Sequence, residues 1–384
     1  MALHQPWHRR MTPRDATEAH RGATPLELFF DLCFVVSVAQ VSGELHHYLS
    51  EGRAADALPS YFAVFFAIWW AWMGLTWFAS AYDTDDVPYR IAVLVSIAGV
   101  LLLAAGVPRA FERHDFALAT TGYAVMRLAM ISLWLRAAHS HPAGRGTAHR
   151  FAAGLLTVQA LWLGWLALPT SVQMPVFAVV ALLDLAVPVA SERAHPTPWH
   201  PEHIAERYGL FTMIVLGESV LSATTAVREA VDTREAGTEL YGVAGGGLLT
   251  VFAMWWLYFA KPAAGLLVST RMGFFWGYGH YLVFRAAAAV GAGLAVNVDF
   301  VTHHSHLSHP AAAAALTLPV AVFLLTLWLL HLHPHHIGHW DALLFPATAL
   351  LIVAATFTAA PVLTTGLLMA ALVAAAGVLT HRSR

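Results

Sequence analysis

Residues 24–40 read TPLELFFDLCFVVSVAQ, an apolar run with two carboxylates, Glu27 and Asp31, set into its head. The fold turns on whether such a segment lies in water or in lipid. The rest of the chain answers: of 384 residues, 58% are hydrophobic and 11% charged. Soluble domains carry about 25% charged and about 45–50% apolar residues. With a mean hydropathy of +0.61, the surplus apolar surface calls for a bilayer as solvent. A net charge of -2 leaves no basic footprint for nucleic acid. The one cysteine, Cys33, excludes an intramolecular disulfide. The opening MALHQPWHRRMTPRDATEAHRG is polar and Arg-bearing with no apolar signal core, so the first span is expected to stay in the mature protein.

A membrane span needs roughly 20 mostly apolar residues. Twelve stretches meet that length: about 25–47, 59–81, 88–107, 115–137, 149–169, 171–190, 204–227, 239–260, 274–297, 311–331, 341–360 and 362–380. The chain reads as an all-α, polytopic integral membrane protein of about 12 transmembrane helices. Lys and Arg fall unequally on the two sides of this topology, with fourteen of 21 on the side of the N-terminus and five opposite. The positive-inside rule then places both termini in the cytoplasm, with the lipid bilayer as the protein's partner.

The two halves echo each other in serial order. ISLWLRAAHSHP (131–142) resembles LTLWLLHLHPHH (325–336), FAIWWAWMGLTWFA (66–79) resembles FAMWWLYFAKPAA (252–264), and ELFFDLCFVVSVAQ (27–40) faces ERYGLFTMIVLGES (206–219). An even number of spans per half gives two parallel six-helix repeats, with any site expected near the midplane between them. The expected organisation is a cytoplasmic segment 1–24, a first repeat 25–190, a linker 191–203, a second repeat 204–380 and a tail 381–384.

Thr24-Pro25-Leu26-Glu27 has the form of a capping box with proline at the first helical position, which gives Glu27 a structural role. Asp31 is one turn deeper on the same face, roughly 9 Å beyond Pro25. A carboxylate at that depth costs about 2–3 kcal/mol unless paired or wetted, so it is expected to face a partner or a pathway. Arg127 and Arg285 are the basic residues placed in span interiors, and one of them is the expected counter-charge. In the seventh span, Glu206 and Arg207 fall at the inner interface and read as structural. Glu218 lies about 18 Å further on, near the midplane, between Gly217 and Ser219. Gln40 occupies the corresponding depth of the first span. Asp184, before Pro188, is expected to bond freed backbone groups.

The loop AYDTDDVPYR (81–90) places three acids on the basic inner side. Asp86 suits an N-cap for the third span, and Asp83 and Asp85 are placed to pair with inner arginines as a latch. Histidines cluster at VTHHSHLSHP (301–310) and HLHPHHIGHW (331–340), but the tracts are irregular and lack nearby Cys or Glu, so no metal ligand set is assigned. No phosphate-cradling loop, zincin motif or nucleophile elbow is present, and neither cofactor nor catalytic residue is expected.

Together, TPLELFFDLCFV, WWAWMGLTWFASAYDTDD, GVPRAF and ERYGLFTMIVLGES resemble the bacterial low temperature requirement A (LtrA) family, over about residue 21 to the twelfth span. The resemblance implies a multi-pass inner-membrane protein, linked by name to growth in the cold, without implying a substrate. By motif position it singles out Glu27, Asp31, Asp83, Asp85, Asp86, Glu206 and Glu218. The function expected from the buried acids is secondary transport of a small solute or ion, proton-coupled through Asp31 and Glu218. Gln40, Ser219, Arg127 and Arg285 share that pathway, and the loop acids with Glu206 and Arg207 act as structural or gating groups. The alternatives are a cation channel or leak pathway, and a non-transporting scaffold or lipid-acting protein.

Overall fold

The structure is a computed structural model that describes residues 7–19, 21–193, 195–232, 237–335 and 339–382. Among these the architecture is wholly helical: α1 (Pro25–Ser50), α2 (Ala54–Tyr82), α3 (Val87–Glu112), α4 (Ala117–Ser140), α5 (Arg145–Trp165), α6 (Thr170–Glu192), α7 (Pro201–Asp232), α8 (Thr238–Phe259), α9 (Thr270–Val301), α10 (His309–Leu327), α11 (His339–Ala355) and α12 (Pro361–Arg382). Each expected span falls on one of these helices. Nine of them are long and apolar enough to cross a membrane. The other three are α5, with Arg145, His149 and Arg150 in its first two turns, and α11 and α12, whose described apolar segments Leu343–Ala355 and Pro361–Gly377 are shorter. Large apolar side chains such as Leu182, Phe252, Trp256 and Leu350 point outward, the surface a helical protein presents to lipid.

The chain folds as two compact units, residues 1–41 with 59–208, and residues 42–58 with 209–384. In the first unit α3, α4, α5 and α6 pack in serial order. Ser37 on α1 donates to the Val100 carbonyl of α3 at 3.3 Å. Gly99 and Gly122 let the α3 and α4 backbones touch, since a Cβ at Gly99 would lie 2.7 Å from the Gly122 carbonyl. Between helices in lipid such close contact, rather than the hydrophobic effect, supplies most of the attraction.

In the second unit α9, α10, α11 and α12 pack in serial order, and α12 also packs on α8. Gly293 fits against the Ala315 backbone with no room for a side chain. One turn on, the Asn297 amide donates to the carbonyls of Gly293 at 2.7 Å and Ala312 at 2.8 Å, tying α9 to α10. The GVAGGGLL run is a packing face, as its composition suggests: a Cβ at Gly246 would strike the α12 backbone at Val362 and Leu363. Gly217, by contrast, has open space around its α-carbon and makes no close helix approach.

Candidate functional site

The α1 and α7 helices begin with the same punctuation, a proline followed two residues later by one polar group and six residues later by another: Pro25, Glu27, Asp31 and Pro201, His203, Arg207. That register assembles a buried ion network in the first unit. Arg207 Nε donates to Asp31 Oδ2 at 2.9 Å and Nη2 to Oδ1 at 2.5 Å, a two-pronged grip. Its third nitrogen, Nη1, lies 2.9 Å from Glu27 Oε1, with His203 Nε2 at 3.0 Å from the same oxygen. The Trp72 indole donates to Asp31 at 2.7 Å. The capping box forms as read: Thr24 N–H donates to Glu27 Oε2 at 2.8 Å, and Glu27 N–H to Thr24 Oγ1 at 3.3 Å. The counter-charge of Asp31 is therefore Arg207, not Arg127 or Arg285. Helix α7 starts at Pro201 rather than near 204, so Arg207 lies about 9 Å along the helix and is fully buried.

Arg127 has its own partner. It pairs with Asp184 of α6, which also accepts from Trp70 Nε1 at 2.8 Å, Trp162 Nε1 at 2.9 Å and the Tyr123 hydroxyl at 3.1 Å. The guanidinium also lies 4.7 Å over the Tyr123 ring. Asp184 thus binds side chains on α2, α4 and α5, which corrects its expected role near Pro188. The charged groups of both networks are buried, and a small apolar cavity of about 40 Å³ lies beside the second, against Tyr123 and Trp162.

The α2–α3 loop brings its three acids against arginines. Asp86 caps α3, accepting from Tyr89 N–H at 3.1 Å, and also holds Arg136 of α4 and the Arg9 N–H at 2.7 Å. Asp85 grips Arg90 at 2.7 and 2.8 Å from a left-handed backbone with φ 46, a conformation aspartate tolerates. Asp83 accepts from Asp85 N–H at 3.0 Å, with Arg14 at 3.9 Å. Burial pushes the Asp83 carboxyl up to about 6, reinforced by the Glu27 charge. For Asp86 burial acts the same way, but Arg136 and the Arg9 and Tyr89 N–H groups outweigh it and hold the carboxyl at about 2. The signs are opposite. Asp83 adds stability that is complete below its ordinary 3.8 and is lost as pH rises through 6, whereas Asp86 adds stability present above 3.8 and lost as pH falls through 2. Acidifying from pH 7.5 to 5 is therefore expected to stabilise the wild type relative to Asp83→Asn by about 1 kcal/mol. Melting midpoints of both proteins at the two pH values check this, and a wild-type-to-variant gap that ignores pH refutes it.

A larger cavity, lined by charged groups, lies in the second unit. The C-terminal halves of α1, α7 and α9 enclose a cavity of about 530 Å³. Glu218 lies in its wall with 7% exposure, and accepts from Ser222 at 3.2 Å. Asp299 of α9 accepts from His46 Nε2–H at 2.7 Å and the Ser50 hydroxyl at 2.6 Å, and lines the same cavity together with Ser42, Thr302 and His304. A Cβ at Gly291 would lie 2.7 Å from the Ser219 α-carbon, so residue 291 marks the level of Glu218. Asp299, eight residues on, then lies about 12 Å nearer the helix ends. In the opposite direction Phe211 and Phe284 meet with ring centroids 4.8 Å apart, both fully buried.

Asp299 and His46 were not foreseen. The ninth span was expected to end near 297, but α9 continues to Val301 and carries Asp299 within it. Ser219 is turned away from the cavity, donating to the carbonyls of Val215 at 3.1 Å and Ala287 at 2.9 Å. Gln40 and Glu206 are exposed, and Gln40 does not line the cavity. Arg285 lies 5.1 Å over the Tyr281 ring. Of the histidine tracts, His304 reaches the cavity, while His331 turns inward on a π-helical turn to lie 3.2 Å from His280, itself 3.1 Å from the Tyr258 hydroxyl. His336 and the side chain of His339 lie outside the described residues.

The sequence matches the model of the bacterial low temperature requirement A protein (LtrA) family over residues 22–378, nearly its whole length. The chain belongs to the LtrA family. A relative, an uncharacterised protein of Rhizobium meliloti (strain 1021), is 28% identical over 262 residues, 66% of this chain. The match spans 61% of that relative's length. The family assignment accords with the many apolar helices of the fold, and the relative's description gives no substrate or reaction. The acids of the LtrA resemblance separate by environment: Glu27, Asp31, Asp85 and Asp86 hold arginines, while Glu218 faces a cavity.

Proposed function

We propose that this LtrA-family protein is a proton-coupled secondary transporter of the bacterial inner membrane, with both termini in the cytoplasm. The observation that carries the reading is Glu218, a buried carboxylate in the wall of a cavity large enough for a small solute. In the proposed topology α1, α7 and α9 all run outward, so the cavity faces the outer side and Glu218 sits near the midplane. The Phe211–Phe284 contact on the inner side of Glu218 favours alternating access over an open channel. Two parallel repeats of six spans, 25–190 and 204–380, fit the matching serial order of α3 to α6 and of α9 to α12. Asp31 and Arg127, sealed in ion pairs, act here as fixed structural charges rather than pathway groups.

Reconstitution into liposomes with an interior pH dye and imposed K⁺, Na⁺ and pH gradients tests the proposal. Wild type is expected to move protons, and Glu218→Gln to lower that flux to the level of empty liposomes while keeping a wild-type melting profile. Glu218→Gln flux equal to wild type refutes the assigned role, and no flux above empty liposomes under any of these gradients excludes simple H⁺, Na⁺ or K⁺ conduction and exchange.

A further inference from the structure

The buried carboxylates of this protein follow a pattern that Glu218 breaks. Glu27 and Asp31 share Arg207, Asp86 holds Arg136, Asp184 holds Arg127, and Asp83 has Arg14 within 3.9 Å. Glu218 is equally buried, yet the contact that holds it is one hydroxyl, Ser222, on its own helix. The rest of its carboxylate faces the cavity. Among the described residues neither lysine nor arginine lines that cavity. A second carboxylate, Asp299, stands nearer the helix ends, where the closing turns of α1 and α9 add the negative end of their dipoles. Once Glu218 is ionised, an anionic solute would meet repulsion at both levels, and a neutral one would give the carboxylate no counter-charge.

We propose that the cavity recognises a small organic cation, an amine whose ammonium group supplies the counter-charge of Glu218. This names the substrate class of the transporter reading and rests on it for the step of transport, whereas binding stands on the cavity itself. In the resting state a proton occupies Glu218. The arriving R–NH₃⁺ forms charge-assisted hydrogen bonds with the carboxylate as the proton leaves to water, so charge balances and amine and proton exchange one for one. The titratable groups that face Glu218 across the cavity are His46 from α1 and Asp299 and His304 from the α9 end. Glu218 and Asp299 differ by about 12 Å in level, so a diamine or triamine chain engages both and a compact monocation engages Glu218 alone.

Isothermal titration of the full-length protein in detergent decides the point. The probes are spermidine, putrescine and butylamine, with glutarate and sorbitol as anionic and neutral controls. Two buffers of different ionisation enthalpy count the protons released. Wild type is expected to bind the cations but not glutarate, releasing about one proton per site as charge balance at Glu218 requires. Glu218→Gln is expected to weaken cation binding about tenfold to hundredfold, the usual cost of a lost charge-assisted bond. Glu218→Asp is expected to restore part of that loss. Asp299→Asn is expected to weaken spermidine more than butylamine, and a melting profile verifies the fold of each variant. Preference for glutarate or sorbitol, or cation binding indifferent to Glu218→Gln, overturns the proposal. Glu218-dependent proton flux without amine binding overturns the substrate class while leaving transport in place. Glu218-dependent amine binding without flux supports the class and removes transport instead.

Discussion

Arg207→Met is expected to leave almost no folded protein. The substitution strips the single guanidinium that serves both Glu27 and Asp31 at full burial. Removing one partner of a buried pair costs about 3–5 kcal/mol, because the remaining charge has no water to turn to. Here two carboxylates are stranded together, and they repel each other. A membrane protein with about 5–15 kcal/mol of total stability has little left after such a loss. Size-exclusion chromatography of detergent-extracted protein should show aggregate in place of a monodisperse peak. Adding Asp31→Asn and Glu27→Gln to Arg207→Met should recover part of the peak, since neutral amides keep hydrogen-bonding capacity without charge. Arg207→Lys is expected to be poor as well, because one ammonium cannot grip Asp31 from two nitrogens and reach Glu27 with a third. A melting midpoint for Arg207→Met within a few degrees of wild type would sink this account.

Asp184→Leu is expected to be the second most damaging change, and more damaging than the double variant Arg127→Met/Asp184→Leu. Asp184 is the common acceptor for Arg127, Trp70, Trp162 and Tyr123. Both variants leave the Trp70 and Trp162 indole N–H groups and the Tyr123 hydroxyl without this acceptor, at about 1–3 kcal/mol each, and the single change adds a buried guanidinium facing leucine at about 3–5 kcal/mol. Melting of the two variants side by side measures the order. If the double variant is the weaker, Arg127 contributes packing that outweighs its charge, and the electrostatic account of this network fails.

The legible part of the fold was local. The Thr24–Glu27 capping box and the Asp86 cap needed only neighbours within three residues, and both form as written. Apolar length located every helix. The partner of Asp31 was not legible in the same way, because 176 residues separate it from Arg207 and the pairing depends on two helices starting in matched register. A signal did exist, in the paired spacing of Pro25, Glu27 and Asp31 against Pro201, His203 and Arg207. Setting the seventh span's start at 204 hid it by placing Arg207 at the interface. At the cavity, depth alone brought forward Glu218, which lines it, but depth could not separate it from Ser219, whose side chain points to the Ala287 carbonyl instead. Asp299 was lost for the opposite reason, since an acid near a span's end reads as loop until the helix is seen to continue.

The close backbone contacts at Gly99 with Gly122 and at Gly293 with Ala315 carry a consequence for temperature. The hydrophobic effect weakens on cooling because its driving force near room temperature is the entropy of water. Helices already inside lipid are not held together by that force. Their contacts are dispersion and carbonyl bonds such as those of Asn297, whose strength is enthalpic. A bundle joined in this way does not loosen as water cools, so its internal cohesion persists under conditions that soften the cores of water-soluble proteins.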